Sequence, residues 1–164
     1  RNLLKDEKIR NDIIEAAVSG YSGDEFLSLY NKCIAMNKNI KKDLGKNIIG
    51  TYKRASNIIE QESKKEKEKI FGQPDSLLFE KEEEKFLYEK INEIRKHFSK
   101  TQKDESYEHT LKILAEAKPT TDNFFENVIV NHENQELKKN RLELLQMFCK
   151  TYNNFMDFSK IEGV

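Results

Sequence analysis

The sequence has 164 residues, with 29 Lys or Arg against 29 Asp or Glu, so its formal net charge is zero. This balance excludes a uniformly basic protein that binds nucleic acid or membranes over its whole surface. Only 6 Gly and 2 Pro occur, which argues against an all-β fold built on tight turns. No stretch approaches the roughly 20 apolar residues of a membrane span. The 2 Cys form neither a disulfide framework nor a CxxC pair, as expected of a reduced, cytoplasmic chain.

Apolar residues at helical spacing predict three helices in the first part of the chain. The first ends at Gly20, a capping box of Ser22 and Glu25 opens the second, and the third runs from Leu44 to beyond Ile59. Because the chain begins inside a helical pattern, we interpret residues 1–44 as a helical stretch that continues from a missing N-terminal part. Residues 45–164 form the principal domain in this interpretation.

The second part of the chain predicts further helices after a break at residues 72–76. A fourth helix carries Leu87, Ile91, Ile94 and Phe98, and a fifth, capped by Asp104, stops before Pro119. Residues 119–122 are predicted to form a turn and cap into a short helix over residues 124–130. The last helix extends from Leu137 to Phe155 with apolar spacings of 3 and 4. The sequence therefore predicts an all-α bundle of six or seven helices.

No motif of an enzyme active site is present. The sequence lacks GxGxxG, GxxxxGK[ST], HExxH and GxSxG. A di-metal site in a helical bundle needs Glu-x-x-His, whereas Glu93 and His97, like Glu105 and His109, are four residues apart. Cys149 has no His near it in sequence. We therefore expect no catalytic residue, no metal site and no cofactor in this chain itself.

Three blocks are more specific than a helical pattern. They are residues 52–59 (Tyr-Lys-Arg-Ala-Ser-Asn-Ile-Ile), residues 118–130 (Lys-Pro-Thr-Thr-Asp-Asn-Phe-Phe-Glu-Asn-Val-Ile-Val), and Asn-Arg-Leu at 140–142 followed by Asp-Phe-Ser at 157–159. In this order they resemble the C-terminal part of the beta subunit of bacterial two-subunit glycyl-tRNA synthetases, over about residues 45–160. The sequence departs from the family's pattern at Ile129, where Met is usual, and at Lys138, where Arg is frequent and would offer a planar fork that Lys lacks.

The resemblance implies a helical anticodon-binding domain of the DALR type, shared with arginyl- and cysteinyl-tRNA synthetases. It implies glycine tRNA and the synthetase alpha subunit as partners, with neither membrane nor DNA among them. In this family the alpha subunit holds the catalytic site for glycine activation, with its ATP and Mg, and the beta subunit binds tRNA. The chain by itself is then a non-catalytic part of a glycine–tRNA ligase in the cytoplasm.

The second block also has an ordinary structural interpretation. We expect Asp122 to be a helix N-cap that accepts hydrogen bonds from backbone N–H groups. Phe124, Val128 and one of Phe125 or Ile129 are expected in the core, because aromatic residues at helical spacing usually pack.

The candidate tRNA-binding residues are basic side chains. Cytosines at the glycine anticodon offer an N4 amino donor and the O2 and N3 acceptors, which suit polar side chains beside a cation. The leading candidates are Arg141, Lys138, Arg95, Lys53 and Arg54. A structural ion pair or simple exposure remains the alternative role for Arg141. Lys96, Lys100 and Lys103 lie near Arg95 and could contact phosphates.

Two other functions stay open. A helical protein-interaction or subunit-docking module without RNA contact would show an exposed apolar patch and no basic groove. A metal- or thiol-dependent helical enzyme is disfavoured by the absent Glu-x-x-His pairs and the isolated Cys residues.

Overall fold

The computed structural model describes residues 8–19, 26–64, 72–100 and 106–162. Within these ranges the chain forms seven α-helices and no strand, so the predicted all-α fold is confirmed. None of these helices is both long and apolar enough to cross a lipid bilayer. The helices are α1 (Asn11–Ser19), α2 (Phe26–Asn39), α3 (Asp43–Ser63), α4 (Glu82–Lys100), α5 (Tyr107–Glu116), α6 (Lys118–Asn127) and α7 (Gln135–Tyr152). Two short 3-10 turns, Ser76–Leu78 and Phe158–Lys160, complete the described structure.

Helix α7 is the centre of the bundle, because nearly its whole circumference is buried. Helices α3 and α4 pack against α7, while α5 packs on α3 and α6 on α4. Phe148 and Tyr152 stack near the C-terminal end of α7 with ring centroids 4.2 Å apart. The Tyr152 hydroxyl donates to the carbonyl of Leu114 at 2.5 Å, which satisfies a polar atom inside the core.

Helices α1 and α2 share this core with the rest of the chain. Ile13 and Ala16 of α1 are fully buried, and α1 packs on α2 and on the turn Phe158–Lys160. The backbone N–H of Asp157 donates to the carbonyl of Ala16 at 3.0 Å. The boundary predicted between residues 44 and 45 falls in the first turn of α3, and the division into two parts stays a prediction.

The start of α6 differs from the sequence prediction. The helix begins at Lys118, so residues 119–122 are helical and do not form a turn. Pro119 is compatible with a helix that begins here, because backbone N–H groups in the first turn have no acceptor within the helix and proline lacks only such a group. Asp122 therefore lies one turn inside the helix, and its carboxylate accepts from Lys118 Nζ at 2.5 Å. The predicted N-cap at Asp122 is wrong, and α6 ends at Asn127, before Val130.

Other predicted boundaries have mixed outcomes. The break at residues 72–76 is confirmed, and Gly72 has a φ of 108°, which favours glycine. The stop before Pro119 is confirmed, since α5 ends at Glu116. The last helix ends at Tyr152, so Phe155 is buried from the following turn. The predicted caps at residues 22–25 and at Asp104 lie outside the described residues.

Candidate functional site

Arg141 is buried at the centre of a polar network. Its Nε donates to Glu84 Oε1 at 2.9 Å, and its Nη1 donates to the carbonyl of Ile129 at 2.8 Å. The other Glu84 oxygen accepts from the backbone N–H groups of Glu80 and Lys81, both at 2.9 Å. The side chains of Arg141 and Glu84 are 2% and 0% exposed. A nucleotide cannot reach this guanidinium, so the geometry disagrees with a direct RNA contact and supports the structural ion pair.

Lys138, one turn before Arg141, is also buried. Its Nζ lies 3.3 Å from Glu62 Oε2, and the two side chains are 7% and 11% exposed. The pair joins α7 to the C-terminal end of α3. Nearby, Asn140 accepts from the backbone N–H of Asp75 and donates to its carbonyl. A buried ammonium paired with a carboxylate fits this place without the planar fork of Arg, so a direct RNA contact by Lys138 also disagrees with the geometry.

The structural residues of the second block occupy the expected core positions. Phe124 and Val128 are buried, which confirms their predicted role. Phe125 is half-buried with its ring centroid 5.6 Å from that of Phe124. Ile129 is 67% exposed, so Phe125 is the one of these two residues that packs against the core.

Lys53 and Arg54 lie at the surface and connect α3 to two other elements. Lys53 Nζ donates to the carbonyl of Ser159 at 3.2 Å. The guanidinium carbon of Arg54 lies over the ring of Phe125, 4.4 Å from its centroid, which is a cation–π contact. The Tyr-Lys-Arg block and the Phe-Phe block are therefore brought together by the packing of α3 beside α6.

Helix α3 exposes a stripe of polar side chains around Arg54. We call Lys46, Gly50, Arg54, Asn57 and Gln61 the α3 stripe; they are exposed and follow one another at spacings of 4, 4, 3 and 4. The members supply two cations and two amides and no carboxylate. Glu60 lies beside the stripe, where its carboxylate is 3.3 Å from Lys64 Nζ.

The outer face of α4 carries more carboxylates than the α3 stripe does. A groove of about 700 Å³ separates this face from the segment around Ser76 and Phe79. Its charged lining residues are Glu80, Lys81, Glu82, Lys85, Glu89, Glu93 and Lys96. The carboxylates outnumber the ammonium groups, so this groove is a poor place for a phosphate. Arg95 is exposed on the same helix but does not line the groove.

The remaining candidates for chemistry have structural roles. His97 Nε2 lies 2.9 Å from Thr110 Oγ1, which joins α4 to α5. Burial raises the pKa of Cys33 to about 11 and that of Cys149 to about 12, so neither thiol ionises readily. Among the described residues, no three His, Cys, Asp or Glu side chains are arranged to hold a metal ion.

Comparison with known proteins gives the family. Residues 48–164 match the family described as the DALR anticodon binding domain. The chain belongs to this family. The chain is 32% identical to the glycine–tRNA ligase beta subunit of Dinoroseobacter shibae over 98% of its own length and 22% of the relative. It is 35% identical to that of Persephonella marina, over 96% of the chain and 21% of the relative. The chain thus spans about a fifth of these relatives, and the resemblance inferred from its motifs is confirmed.

In this DALR anticodon binding domain, two features of the surface around Arg54 do not figure among the sequence predictions. They are the exposed Gly50 and the contact of the half-buried Phe125 with Arg54. The 3–4 spacing from Lys46 to Gln61 was available in the sequence as an uninterrupted polar face. The contact of Arg54 with Phe125 had no such signal, because 71 residues separate them in the chain.

Proposed function

We propose that the chain is the tRNA-reading part of a glycine–tRNA ligase and binds the anticodon loop of glycine tRNA. The observation that carries this proposal is the match of residues 48–164 to the DALR anticodon binding domain, together with relatives that are glycine–tRNA ligase beta subunits. ATP, Mg²⁺ and glycine would be handled by the alpha subunit of the same enzyme, in the cytoplasm.

The α3 stripe offers the groups that an anticodon loop requires. Loop bases are unstacked, so they can stack on aromatic or guanidinium planes and present their Watson–Crick edges. An Asn or Gln amide can accept from the cytosine N4 amino group through its oxygen and donate to N3 or O2 through its nitrogen. Asn57 and Gln61 provide such amides beside Arg54, and Lys46 provides a cation for the backbone. We therefore place the RNA along α3, with Arg54 and Lys53 as contacts.

The other predicted candidates take different roles in this proposal. Arg95 remains a candidate phosphate contact, because it is exposed. Arg141 and Lys138 support the site indirectly: they fix α7 against α4 and against the C-terminal end of α3.

A binding titration in the complete ligase tests the proposal. The affinity for glycine tRNA is compared with that for the same tRNA whose anticodon cytosines are replaced, over a series of salt concentrations. We expect weaker binding of the altered tRNA and a shallow salt dependence, on the order of 2–4 released counterions, because the chain is neutral overall. Lys46→Ala should weaken both tRNAs alike and lower the salt slope by about one. Equal affinity for the two tRNAs would contradict the proposed function.

Docking onto another part of the ligase is the second candidate. Leu77 and Phe86 are large, apolar and at least half exposed, which favours a contact surface for protein. In that case Leu77→Ser and Phe86→Ser would weaken assembly of the ligase, and cytosine replacement would leave tRNA affinity unchanged.

A further inference from the structure

We propose that Arg54, Phe125 and Gly50 form a stacking platform for one unpaired base of the bound RNA. The proposal rests on the proposed function and adds to it the mode of contact: a base lies flat on the Arg54 guanidinium, against the bare backbone at Gly50. We call these three residues the α3 platform.

The first observation is the setting of Arg54. The ring of Phe125 supports the guanidinium at 4.4 Å, while the residue as a whole is exposed. Within the described parts of the chain Arg54 makes no ion pair with a carboxylate. An arginine that is held by an aromatic ring and keeps its charge uncompensated is oriented in advance of binding, so less side-chain freedom is lost when a ligand arrives.

The second observation is Gly50. It lies inside α3, where glycine makes a helix less stable than alanine does. A Cβ at this position would meet no atom within 4 Å, so the packing of the protein does not require glycine there. Gly45 is the contrast, because its Cβ would lie 2.2 Å from the carbonyl oxygen of Asn39. The fold explains Gly45 and leaves Gly50 without a structural reason.

The two observations meet on one face of the helix. Gly50 precedes Arg54 by four residues, so both lie on the exposed side of α3 within one turn. Glycine is suited to places where a ligand approaches the backbone closely. A planar base that stacks on the guanidinium and extends towards Gly50 would meet no side chain at that residue.

The chemistry favours a base over a phosphate. A phosphate needs only a cation, and the Lys46 side chain would serve it without a ring behind it. A base uses the extended π surface that a supported guanidinium presents, and such stacking tolerates any base identity. Asn57, three residues after Arg54, is exposed on the same face of α3, so an amide neighbours the guanidinium on which the base would stack. We therefore infer that the α3 platform contributes affinity and that the neighbouring amides contribute base preference.

The experiment measures tRNA affinity and unfolding of four variants in the complete ligase. Gly50→Ala is expected to raise the unfolding temperature and yet weaken glycine tRNA binding about 5-fold or more, since base stacking is lost. Arg54→Lys keeps the charge and removes the plane, and Phe125→Leu keeps an apolar side chain and removes the ring; both should weaken binding similarly. Asn31→Ala, at an exposed site on α2, is the matched control and should leave tRNA affinity unchanged.

A second readout identifies the base itself. Glycine tRNAs with an abasic site at each anticodon-loop position in turn are titrated against wild-type and Arg54→Lys ligase. One abasic position should weaken wild-type binding and have little further effect on Arg54→Lys, because both changes remove the same stack. Lys46→Ala should show no such coupling.

The outcomes separate the two proposals. If wild-type ligase discriminates the anticodon cytosines while Gly50→Ala and Arg54→Lys bind as wild type does, the α3 platform is wrong and the proposed function stands. If wild-type ligase binds the two tRNAs equally, the proposed function fails, and the α3 platform fails with it when no abasic position weakens binding.

Discussion

The guanidinium of Arg141 and the carboxylate of Glu84 form a hydrogen-bonded ion pair of 2.9 Å with almost no access to solvent. The pair joins α7 to α4, and each partner also bonds to backbone groups of a connecting segment. Because only 2% of the Arg141 side chain is exposed, a ligand cannot reach its guanidinium. The Asn-Arg-Leu block thus holds α7 against α4, and the surface around Arg54 is the one proposed for binding.

We predict that Arg141→Ala lowers the free energy of unfolding by about 3–5 kcal/mol, because it leaves the buried Glu84 carboxylate without its partner. Urea denaturation followed by circular dichroism measures the loss. Arg95→Ala removes an exposed guanidinium and is the control, with an expected change within about 0.5 kcal/mol. Equal stability of Arg141→Ala and Arg95→Ala would show that the buried pair does not stabilise the fold.

Phe124→Ala should destabilise the protein by about 3–5 kcal/mol, the usual consequence of emptying an aromatic core site. The same denaturation assay applies. Ile129→Ala, five residues later and largely exposed, serves as the comparison, with a loss below about 1 kcal/mol. A small loss for Phe124→Ala would mean that its ring is not packed in the core.

Asn134 and Asp122 should differ in their contribution to stability, because only Asn134 caps a helix. Asn134 is the N-cap of α7 and accepts from the N–H groups of Glu136 and Leu137 at 2.9 and 3.3 Å. Asn134→Ala should therefore cost about 1 kcal/mol. Asp122→Ala removes only a surface ion pair with Lys118, which contributes about 0–1 kcal/mol. Thermal unfolding of the two variants would contradict the helix assignment if Asp122→Ala were clearly the more destabilised.

The buried thiols of Cys33 and Cys149 should make the protein less stable at alkaline pH. Burial raises the pKa of Cys33 from 9.0 to about 11 and that of Cys149 from 9.0 to about 12. Since the unfolded chain ionises its thiols first, the free energy of unfolding falls as pH rises from about 9 towards 11–12. At pH 8 a thiol reagent should label native protein far more slowly than urea-unfolded protein. Rapid labelling of both residues in the folded protein would contradict their burial.

The purified chain is predicted to have no activating activity of its own. Its sequence contains no phosphate-binding loop and no convergent acid–base set. Glycine-dependent exchange of pyrophosphate into ATP should therefore stay at background with the chain alone and appear with the complete ligase. Exchange catalysed by the pure chain would overturn this prediction.

The sequence by itself determined the helical class, most helix positions and the family. Apolar residues three and four apart force one face of each helix into the core, and this pattern is local enough to read along the chain. Phe124 and Val128 follow from it directly. The start of α6 did not follow, because Pro119 is compatible with both a turn and a first helical turn, and the packing of Thr121 and Phe124 selects the helix.

Tertiary structure decided which charges are buried and which remain available to a ligand. Arg141 and Arg54 are equivalent as letters in the sequence. Arg141 contacts Glu84, which lies 57 residues earlier in the chain, on α4. Arg54 contacts Phe125, which lies 71 residues later, on α6. A cation that the fold buries beside a carboxylate has a structural role, as Arg141 does beside Glu84. A cation that the fold places against an aromatic ring at the surface remains accessible to a ligand, as Arg54 does beside Phe125. Only the packing of α3, α4, α6 and α7 sets that difference, because the partners are distant in the chain.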